Sequence, residues 1–161
     1  MVIDDLNAIA EKERAARKKT VIRCCMAAGC MSSSSDAVKK NLELAVKEAG
    51  LENEVEVRGV GCMKLCCEGP LVEVDTEGTL YQKVKPGDAL ELINSLKGGG
   101  TSVKRGDSDH PFFKKQLSIV LANSGRIDPE RIESYIVAEG YQALHQVLRE
   151  MTPKEAVDEM V

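Results

Sequence analysis

The sequence predicts a small α/β fold followed by a short helical segment, and three patterns predict it. Val55, Val57 and Val60 alternate with Glu54, Glu56 and Arg58, as in a strand with one buried face. Val38, Leu42, Ala45 and Val46 recur at helical spacing between about Ser35 and Ala49, ahead of a stop at Gly50. Leu71, Val72 and Val74, a turn at Thr76 to Gly78, and Leu80, Tyr81 and Val84 read as a hairpin.

The remaining elements fall into place around these three. Residues 1–19 are expected to form an N-terminal helix, because Leu6, Ile9, Glu13 and Ala16 follow its spacing and Arg17, Lys18 and Lys19 suit its C-terminus. Its apolar face is thin, so it should lean on a neighbour. Val21 and Ile22 open a short strand that leads directly into Cys24 and Cys25, and Ser32 to Ser35 with Asp36 offer N-caps for the helix that follows. Pro86 suits the first turn of another helix through Leu90, Leu92, Ile93 and Leu96, since that position has no hydrogen bond to lose. Residues 20–98 thus read strand, helix, strand, strand, strand, helix. Residues 99–109, within a run rich in glycine and serine, are expected to be a flexible linker. Residues 110–161 suggest short helices at Gln116 to Asn123, from Asp128 and Pro129 to Ala138, and from Tyr141 to Glu150. Thr152, Pro153 and Glu155 carry the capping-box pattern of one more. Asp128 is expected to be a helix cap, and His110 and His145 to cap or pack.

Composition narrows the function. Of 161 residues, 22 are Lys or Arg and 26 Asp or Glu, a net charge of -4 with no basic stripe, which argues against nucleic acid as a partner. No apolar stretch approaches the roughly 20 residues of a membrane span, and acidic residues interrupt the N-terminus where a signal peptide would be apolar. The expectation is a cytoplasmic protein without membrane insertion. Aromatic content is only 3% and tryptophan is absent, so Leu, Val, Ile, Ala and Met must build the core.

Six cysteines stand in two groups, Cys24, Cys25 and Cys30, then Cys62, Cys66 and Cys67. In a reducing compartment such groups read first as metal ligands and then as disulfides. Each group follows a strand, so parallel strands would bring both to one end of the sheet. A [2Fe-2S] cluster needs four thiolates, and pairs such as Cys25 with Cys30 and Cys62 with Cys66 supply them. Gly29 and Gly61 would let the backbone approach closely. Structural zinc also takes four thiolates, and a zinc-stabilised docking module is the non-enzymatic alternative; the spacing of Cys25 and Cys30 lies at the upper limit for it. Disulfides and inert thiols are further alternatives. No two cysteines have the spacing of a thioredoxin redox pair, and both histidines lie far along the chain from the thiols. Spacing does not decide between Cys24 and Cys25, or between Cys66 and Cys67.

The stretch Val21 to Cys30 with its serine turn, the run Gly61-Cys62-Met63-Lys64-Leu65-Cys66-Cys67-Glu68-Gly69-Pro70, and Tyr81 ahead of Pro86 resemble the thioredoxin-like [2Fe-2S] ferredoxin domain. That domain occurs in the 24 kDa-type subunit of respiratory complex I and in flavoprotein subunits of NAD-linked hydrogenases and formate dehydrogenases. The resemblance covers residues 20–98 and implies Cys25, Cys30, Cys62 and Cys66 as ligands, with Cys24 and Cys67 as bystanders. One departure is Met26-Ala27-Ala28-Gly29, where Gly-Thr is commoner in the family.

His110-Pro111-Phe112-Phe113, Gln116 to Leu121, Gly125-Arg126-Ile127-Asp128-Pro129-Glu130 and Gly140-Tyr141-Gln142-Ala143-Leu144 resemble the start of the complex I 51 kDa-type NADH-oxidising flavoprotein, ahead of its FMN-binding domain. The layout is similar to the N-terminal part of the beta subunit of NAD-linked, often electron-bifurcating [FeFe] hydrogenases. It implies one-electron transfer within an NAD(H)-linked, flavin-dependent multisubunit oxidoreductase, with a formate dehydrogenase or NADH dehydrogenase as the alternative. FMN and further iron-sulfur clusters are then expected in a longer parent protein or complex, with other subunits as partners. No complete NADH or FMN site is expected in these residues, because the one glycine run, Gly98 to Gly100, has no strand before it.

Overall fold

The computed structural model describes residues 3–107 and 110–160. Its elements are α1 (Ile3–Ala16), β1 (Thr20–Cys25), α2 (Ala28–Met31), α3 (Ser35–Glu48), β2 (Val55–Val60), β3 (Val72–Val74), β4 (Thr79–Tyr81), α4 (Ala89–Ser95), β5 (Arg105–Gly106), α5 (Pro111–Lys114), α6 (Ile132–Val137), α7 (Gln142–Glu150) and α8 (Pro153–Asp158). Arg17–Asp128 form one compact unit, and the residues on either side of it form another. Among the described residues no helix is long and apolar enough to cross a membrane.

The larger unit is a five-stranded sheet in the order β2-β1-β3-β4-β5. Only β1 and β2 run parallel, paired from Thr20↔Val55 to Cys25↔Val60, while β3, β4 and β5 join antiparallel. A parallel pair needs a crossover, and α3 supplies it. Its apolar stripe of Val38, Leu42, Ala45 and Val46 is buried against Ile22, Val55, Val72 and Tyr81, together with Leu92 and Ile93 of α4. Burial of a side chain such as Leu42 contributes roughly 1.5–3 kcal/mol. Asp75 fastens the β3–β4 turn to the start of β1, accepting from Val21 N at 2.8 Å and pairing with Arg17 at 2.6 Å.

The segment expected to be a flexible linker contributes β5, whose Arg105 pairs with Tyr81 and lays its guanidinium over the tyrosine ring at 5.8 Å. A further difference lies at Gln116 to Asn123, which is a series of turns rather than a helix. Leu117, Val120 and Leu121 have helical spacing, but they and Ile119 are all exposed, so no buried face holds a helix there. The helix expected from Asp128 begins only at Ile132, so Asp128 does not cap it. His110 caps as expected, its Nδ1 accepting from Phe112 N at 3.1 Å.

In the second unit α1 packs on α6. Leu6, Ala10 and Ile136 form its buried centre, with Ile9, Val137 and Tyr141 against them, and Arg131 forks onto Glu13 through two 2.9 Å bonds. The thin apolar face of α1 thus finds its neighbour in a helix more than a hundred residues away. The capping box of α8 forms as its pattern predicts, with Thr152 N donating to Glu155 at 2.7 Å.

Candidate metal centre

The parallel pairing of β1 and β2 sets the site. Because Cys25 lies opposite Val60, the chain leaving β2 enters Gly61 and Cys62 beside the end of β1. Successive strand residues face opposite ways, and this separates Cys24 from Cys25. Cys24 is fully buried with Ile22 in the main core, its Sγ 3.7 Å from the Ser35 carbonyl, and burial pushes its thiol up to about 12. Cys25 faces the other side and packs with Cys30, Leu71 and Leu80. The α2 turn returns Cys30 towards Cys25, with Cys30 N donating to Ala27 O at 2.9 Å.

The second loop folds over this floor. Lys64 takes a left-handed conformation, φ 68°, and its N–H donates to Cys62 Sγ at 3.3 Å. A 3-10 turn over Cys66–Glu68 then returns Cys66 to Cys62, while Cys66 and Cys67 are exposed. The Cys30 thiol feels Cys25 beside it and the Cys66 thiol feels Cys62, and Cys66 is also within electrostatic reach of Cys25 and Cys30. Two glycines make the close approach of the loops possible. A Cβ at Gly69 would fall 2.8 Å from Cys30 Sγ, and one at Gly29 would fall 3.2 Å from Cys66 Sγ.

A sheet with cysteine loops at one end is what the family described as thioredoxin-like [2Fe-2S] ferredoxin would present, and that family matches residues 11–97, more than half of the chain. The chain belongs to this ferredoxin family. A 2Fe-2S ferredoxin of Clostridium pasteurianum is 33% identical over 76 residues, which are 47% of this chain and 74% of that protein. The NADP-reducing hydrogenase subunit HndC of Solidesulfovibrio fructosivorans is 56% identical over 45 residues, 28% of this chain but only 9% of the subunit. Among solved structures, a thioredoxin-like [2Fe-2S] ferredoxin from Aquifex aeolicus superposes with TM-score 0.50 at 25% identity, over 56% of this chain and 96% of the other.

The thiols present fit the group that the family description implies: four thiolates are the donor set of a [2Fe-2S] cluster, and Cys25 with Cys30 and Cys62 with Cys66 would supply them from two neighbouring loops. Burial pushes the Cys30 thiol up to about 12, helped by the neighbouring Cys25 thiol and opposed by the Leu71 backbone, and the Cys66 thiol is raised first by the neighbouring Cys62 thiol. The Lys64 amide already points at a sulfur, as second-sphere donors do in iron-sulfur sites. The cysteine spacing carries no sign of this donor, nor of the contacts that residues after 110 make with the second loop.

Proposed function

We propose that Cys25, Cys30, Cys62 and Cys66 hold a [2Fe-2S] cluster that passes single electrons within an NAD(H)-linked, flavin-dependent multisubunit oxidoreductase, a hydrogenase in particular. The observation that carries the reading is the close approach of the two cysteine loops, across a cradle that a Cβ at Gly29 or Gly69 would fill against Cys66 and Cys30. The cluster supplies the one-electron chemistry. The chain's residues do the rest: Cys25 and Cys30 form a buried floor, the Lys64 amide stabilises thiolate charge, and exposed Cys66 opens the site to a partner. The similarity to a hydrogenase subunit supports the choice of complex and of other subunits as partners. Residues 110–161 are read as the start of an NADH-oxidising flavoprotein region on their sequence resemblance alone, with FMN and further clusters elsewhere in the assembly.

Iron and acid-labile sulfide analysis of anaerobically purified protein tests the cluster. Two irons and two sulfides per chain are expected. Stoichiometric zinc without sulfide would remove the reading.

A further inference from the structure

The strand-and-helix unit does not end where the family match ends. Residues 113–126, beyond the matched residues 11–97, reach the second cysteine loop at several points. Ser124 Oγ donates to the Cys62 carbonyl at 2.8 Å. Gly125 is buried with φ 79°, and a Cβ there would meet Cys62 O and the Met63 side chain, each at 3.3 Å. Lys64 Nζ donates to Ser118 Oγ, and Phe113 packs on the apolar group that holds Cys25, Cys30, Leu71 and Leu80. The loop so gripped contains Lys64, a non-glycine residue in the left-handed region. That conformation costs free energy and persists only when its surroundings impose it.

We infer that Ser124 is a positioning residue for the metal centre: by holding the Cys62 carbonyl it keeps Lys64 in the left-handed turn that aims the Lys64 N–H at Cys62 Sγ, and so sets the reduction potential. The inference rests on the cluster reading given above. Donors to cysteine sulfur stabilise the more negative, reduced state, so loss of one lowers the potential. Ser124 touches no sulfur itself and acts only through the loop.

The test uses the full chain, reconstituted with iron and sulfide, as wild type, Ser124→Ala, Ser124→Thr, Lys64→Gly and the Lys64→Gly, Ser124→Ala pair. Redox titration followed by EPR reads the ratio of reduced to oxidised cluster. S124A should lower that ratio about threefold or more at a fixed ambient potential, the size of one lost hydrogen bond. S124T, which keeps the hydroxyl, should match wild type. In the Lys64→Gly background the S124A effect should shrink, because glycine takes the left-handed turn without being held there. In the metal-free chain, S124A should also speed hydrogen exchange at the Met63–Leu65 amides. Wild-type potential and wild-type exchange in S124A, or a full-sized S124A effect in the Lys64→Gly background, would overturn the inference. Should S124A not fold, Ser118→Ala replaces it, with the same expected direction and the same overturning result. Absence of iron and sulfide from the wild-type chain would instead remove the cluster reading, and the exchange comparison would still judge the role of Ser124.

Discussion

At the scale of single residues, the two members of Cys24-Cys25 are chemically identical and structurally opposite. Serine in place of Cys25, Cys30, Cys62 or Cys66 is expected to bleach or destabilise the cluster, read by visible absorbance and iron content. Cys24→Ser should keep the cluster and cost about 1–3 kcal/mol of stability, because the shorter side chain leaves a buried hydroxyl too far from the Ser35 carbonyl, which lies 3.7 Å from the sulfur. Cys67→Ser, at an exposed position, should be mild. Spacing left this choice open since both registers give acceptable loops; only the alternation of β1 turns one thiol into the core and its neighbour into the site. The glycines divide in a similar way. Gly69→Ala must displace the Cys30 sulfur and is expected to cost roughly 1–3 kcal/mol and to impair cluster loading. Gly87→Ala meets nothing within 4 Å and should change the unfolding free energy, read by denaturant titration, by no more than about 0.5 kcal/mol.

Among the elements, those with strong periodicity were legible and those held by tertiary contacts were not. Four strands and α3 follow from the placement of Val, Ile and Leu, and the parallel pairing of β1 and β2 gives the expected meeting of two cysteine groups. β5 has no such pattern: Arg105 and Gly106 are strand residues only because β4 offers a free edge, and α2 is too short to show a period. The turns at 116–123 misled in the other direction, since a cluster of apolar residues there packs on nothing. The capping box of α8 was readable because it is local. It also predicts a pH dependence. The Thr152 backbone N–H, then its hydroxyl, hold the Glu155 carboxyl below the usual carboxylate range. A depressed folded pKa gives stability that is present above the unfolded value and lost as pH falls through the folded one. Far-UV circular dichroism should therefore show more helix in wild type than in Glu155→Gln above about pH 4.3, and the gap should close as pH falls through the lowered folded value.

For the whole molecule, the division into two units matters more than the order of elements along the chain. The helical unit depends on contacts between the first residues and those past 130, a closure that no local pattern announces. Leu6 is 2% exposed at its centre, and Leu6→Ala is expected to cost about 2–5 kcal/mol, seen as a lowered thermal midpoint of helical signal. Under the proposed function, stopped-flow addition of NADH to the isolated chain, with or without FMN, should leave the cluster oxidised; rapid bleaching would place a nicotinamide site within these residues. The gradient of burial across the four sulfurs, from Cys30 at 0% exposure to exposed Cys66, also bears on durability. Dioxygen and chelators would reach such a cluster through one wall, so that decay in air begins at the Cys62 and Cys66 side and the Cys25 and Cys30 side is the last to let go. Under the proposed function the opening that admits an electron would also admit the oxidant, and the speed of the relay and its lifetime in air would be governed by the same small patch of surface.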